Sequence, residues 1–175
     1  RLPLHDRVAY VNARLLDPSS RLDERGALLV DQGRIADFGP RLFNGGVPEG
    51  VEVVDCAGQC LAPGCIDMRV QIGEPGEEQK DTIATVTASA AAGGVTTMVC
   101  LPNTTPPIDD VSLIEFVARR ARETGLVKIY PYGSITRGCR GKELSELGIL
   151  AEAGALAFTD GNRAVADAQV MRRAM

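Results

Sequence analysis

The chain has 175 residues, of which 45% are hydrophobic and 24% charged, and a net charge of -4. That is the composition of a globular domain with a sizeable core. The mild acidity gives no reason to expect nucleic acid or an anionic membrane surface as a partner. The N-terminus is polar, mixed in charge and without a signal peptide, and a start at Arg1 rather than methionine predicts a longer reading frame.

Residues 1–63 read as a small β module. Val8 to Leu16 is one extended segment ending at Asp17-Pro18. Ala27–Val30 and Arg34–Phe38 flank Asp31-Gln32-Gly33, a hairpin signal. Val51–Asp55 and Gln59–Ala62 complete the strands. From residue 64 to 175 the pattern alternates between strand and helix. Strands are expected at Cys65–Gln71, Val95–Cys100, Val127–Pro131 and Ala155–Phe158. Helices are expected at Lys80–Ala92, stopped by Gly93-Gly94, and at Ser112–Thr124, with Leu113, Ile114, Val117 and Ala121 inward. Two more are expected at Leu144–Ala153 and Val165–Arg173.

No charged residue lies between Asp81 and Asp109. The threonines, Gly93-Gly94 and Pro102 in that stretch argue for a helix and a buried parallel strand rather than a membrane span. Four β/α units of this kind fit either an open doubly wound sheet or the first half of a (β/α)8 barrel. No Gly-rich phosphate loop follows any strand, so nucleotide binding lacks support.

The five cysteines, an odd number without a signal sequence, predict reduced thiols and a cytoplasmic protein. Cys56, Cys60 and Cys65 lack zinc-knuckle spacing. Cys65 and Cys100 sit in apolar strand patterns that predict buried thiols. A nucleophilic cysteine needs a base, and the sole histidine is His5.

The most informative segment is Asp67-Met68-Arg69-Val70-Gln71-Ile72-Gly73-Glu74-Pro75-Gly76. Ala62-Pro63-Gly64-Cys65-Ile66 precedes it, and Ala91-Ala92-Gly93-Gly94-Val95-Thr96-Thr97-Met98-Val99-Cys100-Leu101-Pro102-Asn103-Thr104 follows. Together these resemble dihydroorotase, a metal-dependent cyclic amidohydrolase of pyrimidine biosynthesis, whose pattern here is Asp-x-His-x-His-x-Arg-Glu-Pro-Gly. The resemblance runs from Val11 to about Met175 and selects the barrel. It implies the N-terminal half of a (β/α)8 TIM-type barrel preceded by a small β-sandwich segment, in a truncated chain, since one barrel needs about 250 residues.

The same resemblance implies which positions carry chemistry. Arg69 and Gln71 stand where the family's two zinc-binding histidines stand, and Gly73 where its substrate-clamping arginine stands. Asn103, in Leu-Pro-Asn-Thr, matches the asparagine that binds the substrate carboxylate. Asp160, in Phe-Thr-Asp-Gly, matches an aspartate that bridges two metals in one class of the family. Alternation along a strand predicts that Asp67, Arg69, Gln71 and Gly73 share one face. A guanidinium has no lone pair for zinc and a glutamine carbonyl is a weak ligand. No metal is therefore expected in this chain, although active relatives carry zinc. Local chemistry gives Asn103 and Asp160 plain alternatives as turn or cap residues.

Arg69 is expected to compensate a lost dication by pairing with Asp67 or Asp160. Glu74-Pro75-Gly76 keeps its loop-forming residues, a pattern that favours a retained scaffold. The implied role is a catalytically inactive relative that assembles with aspartate transcarbamoylase. The alternatives are an active cyclic amidohydrolase with its remaining ligands outside this chain, or a fragment without activity of its own. Half a barrel leaves apolar strand edges open, so self-association into a homo-oligomer is expected.

Overall fold

The computed structural model describes residues 7–175, so His5 lies outside the described residues. The chain divides into two compact units, Arg1–Pro63 and Gly64–Met175.

In the first unit, β1 (Arg7–Asp17), β2 (Leu22–Asp31), β3 (Arg34–Gly39), β4 (Glu52–Asp55) and β5 (Cys60–Leu61) form one sheet. Its order is β3-β2-β1-β4, with β5 also paired to β1. The hairpin β2–β3 closes through Gln32 (φ 49°) and Gly33 (φ 74°), the double left-handed turn that matches strand twist. A register shift between Tyr10 and Ala13, with Asn12 at φ 54°, bends β1. Ala9, Ala13 and Leu15 are buried along it.

The second unit starts with β6 (Cys65–Val70), α1 (Ile83–Ala92), β7 (Val95–Cys100), α2 (Val111–Thr124) and β8 (Lys128–Pro131). A single 3-10 turn at Arg137–Cys139, α3 (Leu147–Glu152) and α4 (Ala168–Ala174) follow. β6, β7 and β8 form a parallel sheet in chain order, the arrangement that repeated β/α crossovers require. Ile72, Ile83, Met98, Ile108, Ile114, Val117 and Leu150 build the core on the helix side.

Caps set the helix starts. Thr82 and Thr85 form a capping box, so α1 begins two residues beyond Asp81 rather than at Lys80. Asp110 caps α2 through the Ser112 amide and hydroxyl, contacts that hold its carboxyl below the usual range. α4 begins at Ala168 because Asp167 caps it. α3 begins at Leu147 because the preceding Leu144 bridges to Thr136.

Three sequence expectations need correction. Ala155–Phe158 is not a full strand but a parallel run with one bridge, Gly133↔Phe158. It is still tied to β8 by Leu156 N–H donating to Pro131 O (2.9 Å) and Gly133 N–H donating to Ala157 O (3.0 Å). β6 ends at Val70, not Gln71. Cys65 is exposed rather than buried, as are Ile66 (65%) and Met68 (60%), because β6 is the edge of the described sheet. Among the described residues no helix is long and apolar enough to cross a membrane.

Candidate functional site at the strand ends

In a parallel β/α array, the loops after the strand C-termini gather polar side chains on one side. Here the segments following β6, β7 and the bridged run near Phe158 supply Gln71, Asn103 and Asp160. The structure brings Gln71 and Asn103 into direct contact. Asn103 Nδ2 donates to Gln71 Oε1 (2.9 Å), and Gln71 Nε2 donates to the Asn103 backbone oxygen (3.2 Å). Asn103 Oδ1 is buried without a hydrogen-bond partner.

The expected ion pair of Arg69 with Asp67 or Asp160 does not form. Arg69 Nη2 donates instead to Asn162 Oδ1 (3.0 Å), and among the described residues its guanidinium meets no carboxylate. Among the described residues Asp67 accepts only from the Arg69 backbone amide (3.0 Å). Asp160, 2% exposed, is occupied elsewhere: Oδ1 accepts from Thr136 N (2.9 Å) and Oδ2 from the Thr136 hydroxyl. That hydroxyl in turn accepts from Gly141 N (2.8 Å). Asp160 thus secures the loop after β8 through its hydrogen bonds to Thr136.

Gly73 lies beyond the end of β6, so strand alternation does not extend to it. With β6 ended, the backbone turns, and a Cβ at Gly73 would stand 2.6 Å from the carbonyl oxygens of Glu77 and Asp81. No side chain fits there without moving that loop.

Glu74-Pro75-Gly76 has a structural explanation. Glu74, 4% exposed, accepts from the Ile83 amide at the start of α1 (2.9 Å) and from Arg120 Nε on α2 (2.6 Å). The bond to Glu74 raises the Arg120 guanidinium pKa further. Gly76 (φ 96°) lies where a Cβ would overlap the Thr105 carbonyl, while the Thr105 amide donates to Pro75 O (3.1 Å). The tripeptide joins β6, α1, α2 and the loop after β7.

Beside Asn103 and Asp160 is a cavity of about 360 Å³, also lined by Gly138, Cys139, Asn162 and Arg163. Burial, reinforced by Asp160 and Asp109, pushes the Cys139 thiol up to about 11, and burial pushes Cys100 up to about 12. Neither is a thiolate at neutral pH.

The residues at these positions do not fit a zinc ion. Arg69 can only donate, and the Gln71 carbonyl is a weak ligand that accepts from Asn103, while Asp160 accepts from Thr136 through both oxygens. Among the described residues, no three His, Cys, Asp or Glu side chains gather. Asn162, Thr136 and Arg120 were not distinguishable in the sequence. Asn162 reads as part of an Asp-Gly-Asn turn, Thr136 as a loop hydroxyl, and Arg120 as a solvated helix position.

A parallel β/α run with polar side chains collected at the strand ends is the arrangement of the (β/α)8 class of barrel. L-hydantoinase (dihydropyrimidinase) from Arthrobacter aurescens superposes with a TM-score of 0.73 at 24% identity, covering 86% of this chain and 32% of that one. Dihydropyrimidinase from Brevibacillus agri NCHU1002 gives 0.62 at 23%, covering 74% and 27%. Within that class the chain belongs to the dihydroorotase family, for the dihydro-orotase-like family model matches residues 58–175. It is 49% identical over 170 residues to the dihydroorotase of Wolbachia sp. subsp. Brugia malayi (strain TRS), covering 97% of this chain and 38% of that protein. With the dihydroorotase of Ehrlichia chaffeensis the identity is 48% over 169 residues, covering 96% and 37%. The chain therefore spans under two fifths of the length of these relatives.

Proposed function

We propose that this chain belongs to a dihydroorotase-family protein of pyrimidine biosynthesis that does not turn over dihydroorotate and serves as a structural partner of aspartate transcarbamoylase in the cytoplasm. The observation that carries this reading is the use made of the zinc positions. Arg69 and Gln71 are committed to Asn162 and Asn103, and Asp160 to Thr136. Three further features support it. One of the two N–H donors of the Asn103 amide, which a substrate carboxylate would need, is directed to Gln71. The position of the clamping arginine is closed by the backbone around Gly73. Meanwhile the Glu74 junction that holds strand, helices and loop together is intact. The chemistry-bearing positions are rewired and the scaffold is kept.

The second reading is an active, metal-dependent cyclic amidohydrolase whose remaining ligands lie outside this chain. What favours it is the name dihydroorotase carried by relatives 43–49% identical. The two readings separate in one experiment. The complete protein is purified, mixed with aspartate transcarbamoylase and sized, and the same preparation is assayed for dihydroorotate ring opening. The first reading expects a co-eluting complex and no ring opening. Turnover by the protein alone, with no complex, supports the second.

A further inference from the structure

We propose that Asn44-Gly45, in the loop joining β3 to β4, is a self-modifying site: the Asn44 side-chain amide condenses with the Gly45 backbone nitrogen, and water converts the product to aspartate and isoaspartate. The step needs an exposed asparagine with a free side chain, a following backbone N–H that no acceptor holds, and room for a small ring. The sequence has four asparagines, Asn12, Asn44, Asn103 and Asn162, and only Asn44 meets all three conditions.

Asn44 is exposed, and among the described residues its side chain makes no hydrogen bond. The Asn44 N–H donates to Arg41 O (3.3 Å) and the Gly46 N–H to Phe43 O (2.8 Å), so the turn is held on either side of Gly45. The Gly45 N–H between them meets no acceptor among the described residues. Glycine puts no side chain in the way of attack, and a Cβ built there would meet nothing within 4 Å. The other three asparagines are engaged. Asn12 Nδ2 donates to Asp55 (3.0 Å), Asn103 Nδ2 donates to Gln71 (2.9 Å), and Asn162 Oδ1 accepts from Arg69 (3.0 Å). Each is followed by a residue with a side chain, Ala13, Thr104 and Arg163. Asp160-Gly161 has the acid form of the same pair, but Asp160 is 2% exposed and both its oxygens accept from Thr136.

The chemistry needs only water. The Gly45 nitrogen loses its proton to solvent base and attacks Asn44 Cγ. A new N–C bond closes a cyclic imide, and the side-chain nitrogen leaves as ammonia. Water then opens the ring at either carbonyl. Opening at the side-chain carbonyl gives aspartate, and opening at the backbone carbonyl gives isoaspartate. Isoaspartate inserts a methylene into the main chain inside the turn that Phe43 O and Gly46 N close. Leu42, Phe43, Asn44 and Val47 of this loop line a cavity of about 650 Å³, together with Arg25. Modification therefore adds a carboxylate to that cavity and reshapes its wall. The inference uses nothing from the strand-end site, and its failure leaves the reading of that site untouched.

Peptide mass spectrometry on the complete protein tests it, with isoaspartate scored by methyltransferase labelling. The protein is incubated at mildly alkaline pH, native and in urea. An exposed loop opens at little cost, so the native protein is expected to convert Asn44 within about tenfold of the urea rate. Both aspartate and isoaspartate are expected. Gly45→Ala has open space for its Cβ and a φ outside the left-handed region, so its denaturant midpoint should not move. It is expected to slow conversion by about tenfold. Conversion in urea but not in the native protein overturns the site, as does conversion of Asn12, Asn103 or Asn162 as fast as Asn44. An unslowed Gly45→Ala, or aspartate without isoaspartate, overturns the cyclic route.

Discussion

Glu74 offers the sharpest test of why Glu74-Pro75-Gly76 persists beside altered neighbours. Its carboxylate is 4% exposed and accepts from the Ile83 amide (2.9 Å) and from Arg120 (2.6 Å). Ile83 is itself fully buried, so Glu74→Ala leaves an orphan amide at the start of α1 with little water to replace the acceptor. Losing a cap of this kind costs about 0.5–2 kcal/mol, and an unsatisfied buried donor about 1–3 kcal/mol. These overlap, since both count the same amide. The lost packing and the broken bond to Arg120 add to them, for a total of roughly 2–4 kcal/mol. Glu74→Gln keeps one acceptor for Ile83 but sets an amide group against the guanidinium, and is expected to lose about half as much. The assay is urea denaturation of the complete protein, with Asp23→Ala as the control. Asp23 pairs with Arg14 at 2.6 Å, but both side chains are 52% exposed, so that variant should be nearly silent. If Glu74→Ala costs no more than Asp23→Ala, the junction role assigned to Glu74 is wrong.

Gly73→Arg places a Cβ 2.6 Å from two backbone oxygens and is expected to destabilise by about 1–3 kcal/mol in the same assay without conferring dihydroorotate binding. Thr136→Val removes the hydroxyl that donates to the buried Asp160 and accepts from Gly141. A loss of about 1–3 kcal/mol is expected, read by denaturant midpoint, and an unchanged midpoint would remove Asp160 as the anchor of that loop. The buried thiols give a pH dependence. Cys139 and Cys100 are raised to about 11 and about 12 from an ordinary 9.0, so between pH 9 and 11 the unfolded chain loses thiol protons first. Their contribution to stability is full below pH 9 and falls as pH rises through that window. The difference in melting temperature between wild type and Cys139→Ala should narrow from pH 8 to pH 11, and a constant difference contradicts the assignment.

Much of the fold was legible because its signals are local. The alternation of apolar strands with capped helices places β7 at Val95–Cys100 and α2 within a residue of its observed start. Gln32-Gly33 marks the hairpin by its need for positive φ. The fourth strand was less legible. Ala155–Phe158 carries a strand composition, yet pairing depends on Gly133 across the way, and only one bridge forms. Burial of Cys65, Ile66 and Met68 depends on what adjoins β6, which residue type does not report.

In the site, chemistry carried the reasoning part of the way. The residue types at Arg69 and Gln71 argue from sequence against a pair of good zinc ligands there. The charge-balance argument then pointed Arg69 at the wrong partner, because Asp160 is satisfied by Thr136, a loop hydroxyl 24 residues away. Strand alternation likewise does not reach Gly73, since the strand ends at Val70.

Zinc content of the complete protein tests the central claim most directly. The protein is purified without chelator, incubated with a slight excess of zinc, desalted and analysed for metal per chain. With Arg69 and Gln71 committed to asparagines and Asp160 to Thr136, the account predicts well under one tightly held zinc per chain and no ring opening of dihydroorotate. One zinc per chain accompanied by turnover would contradict it.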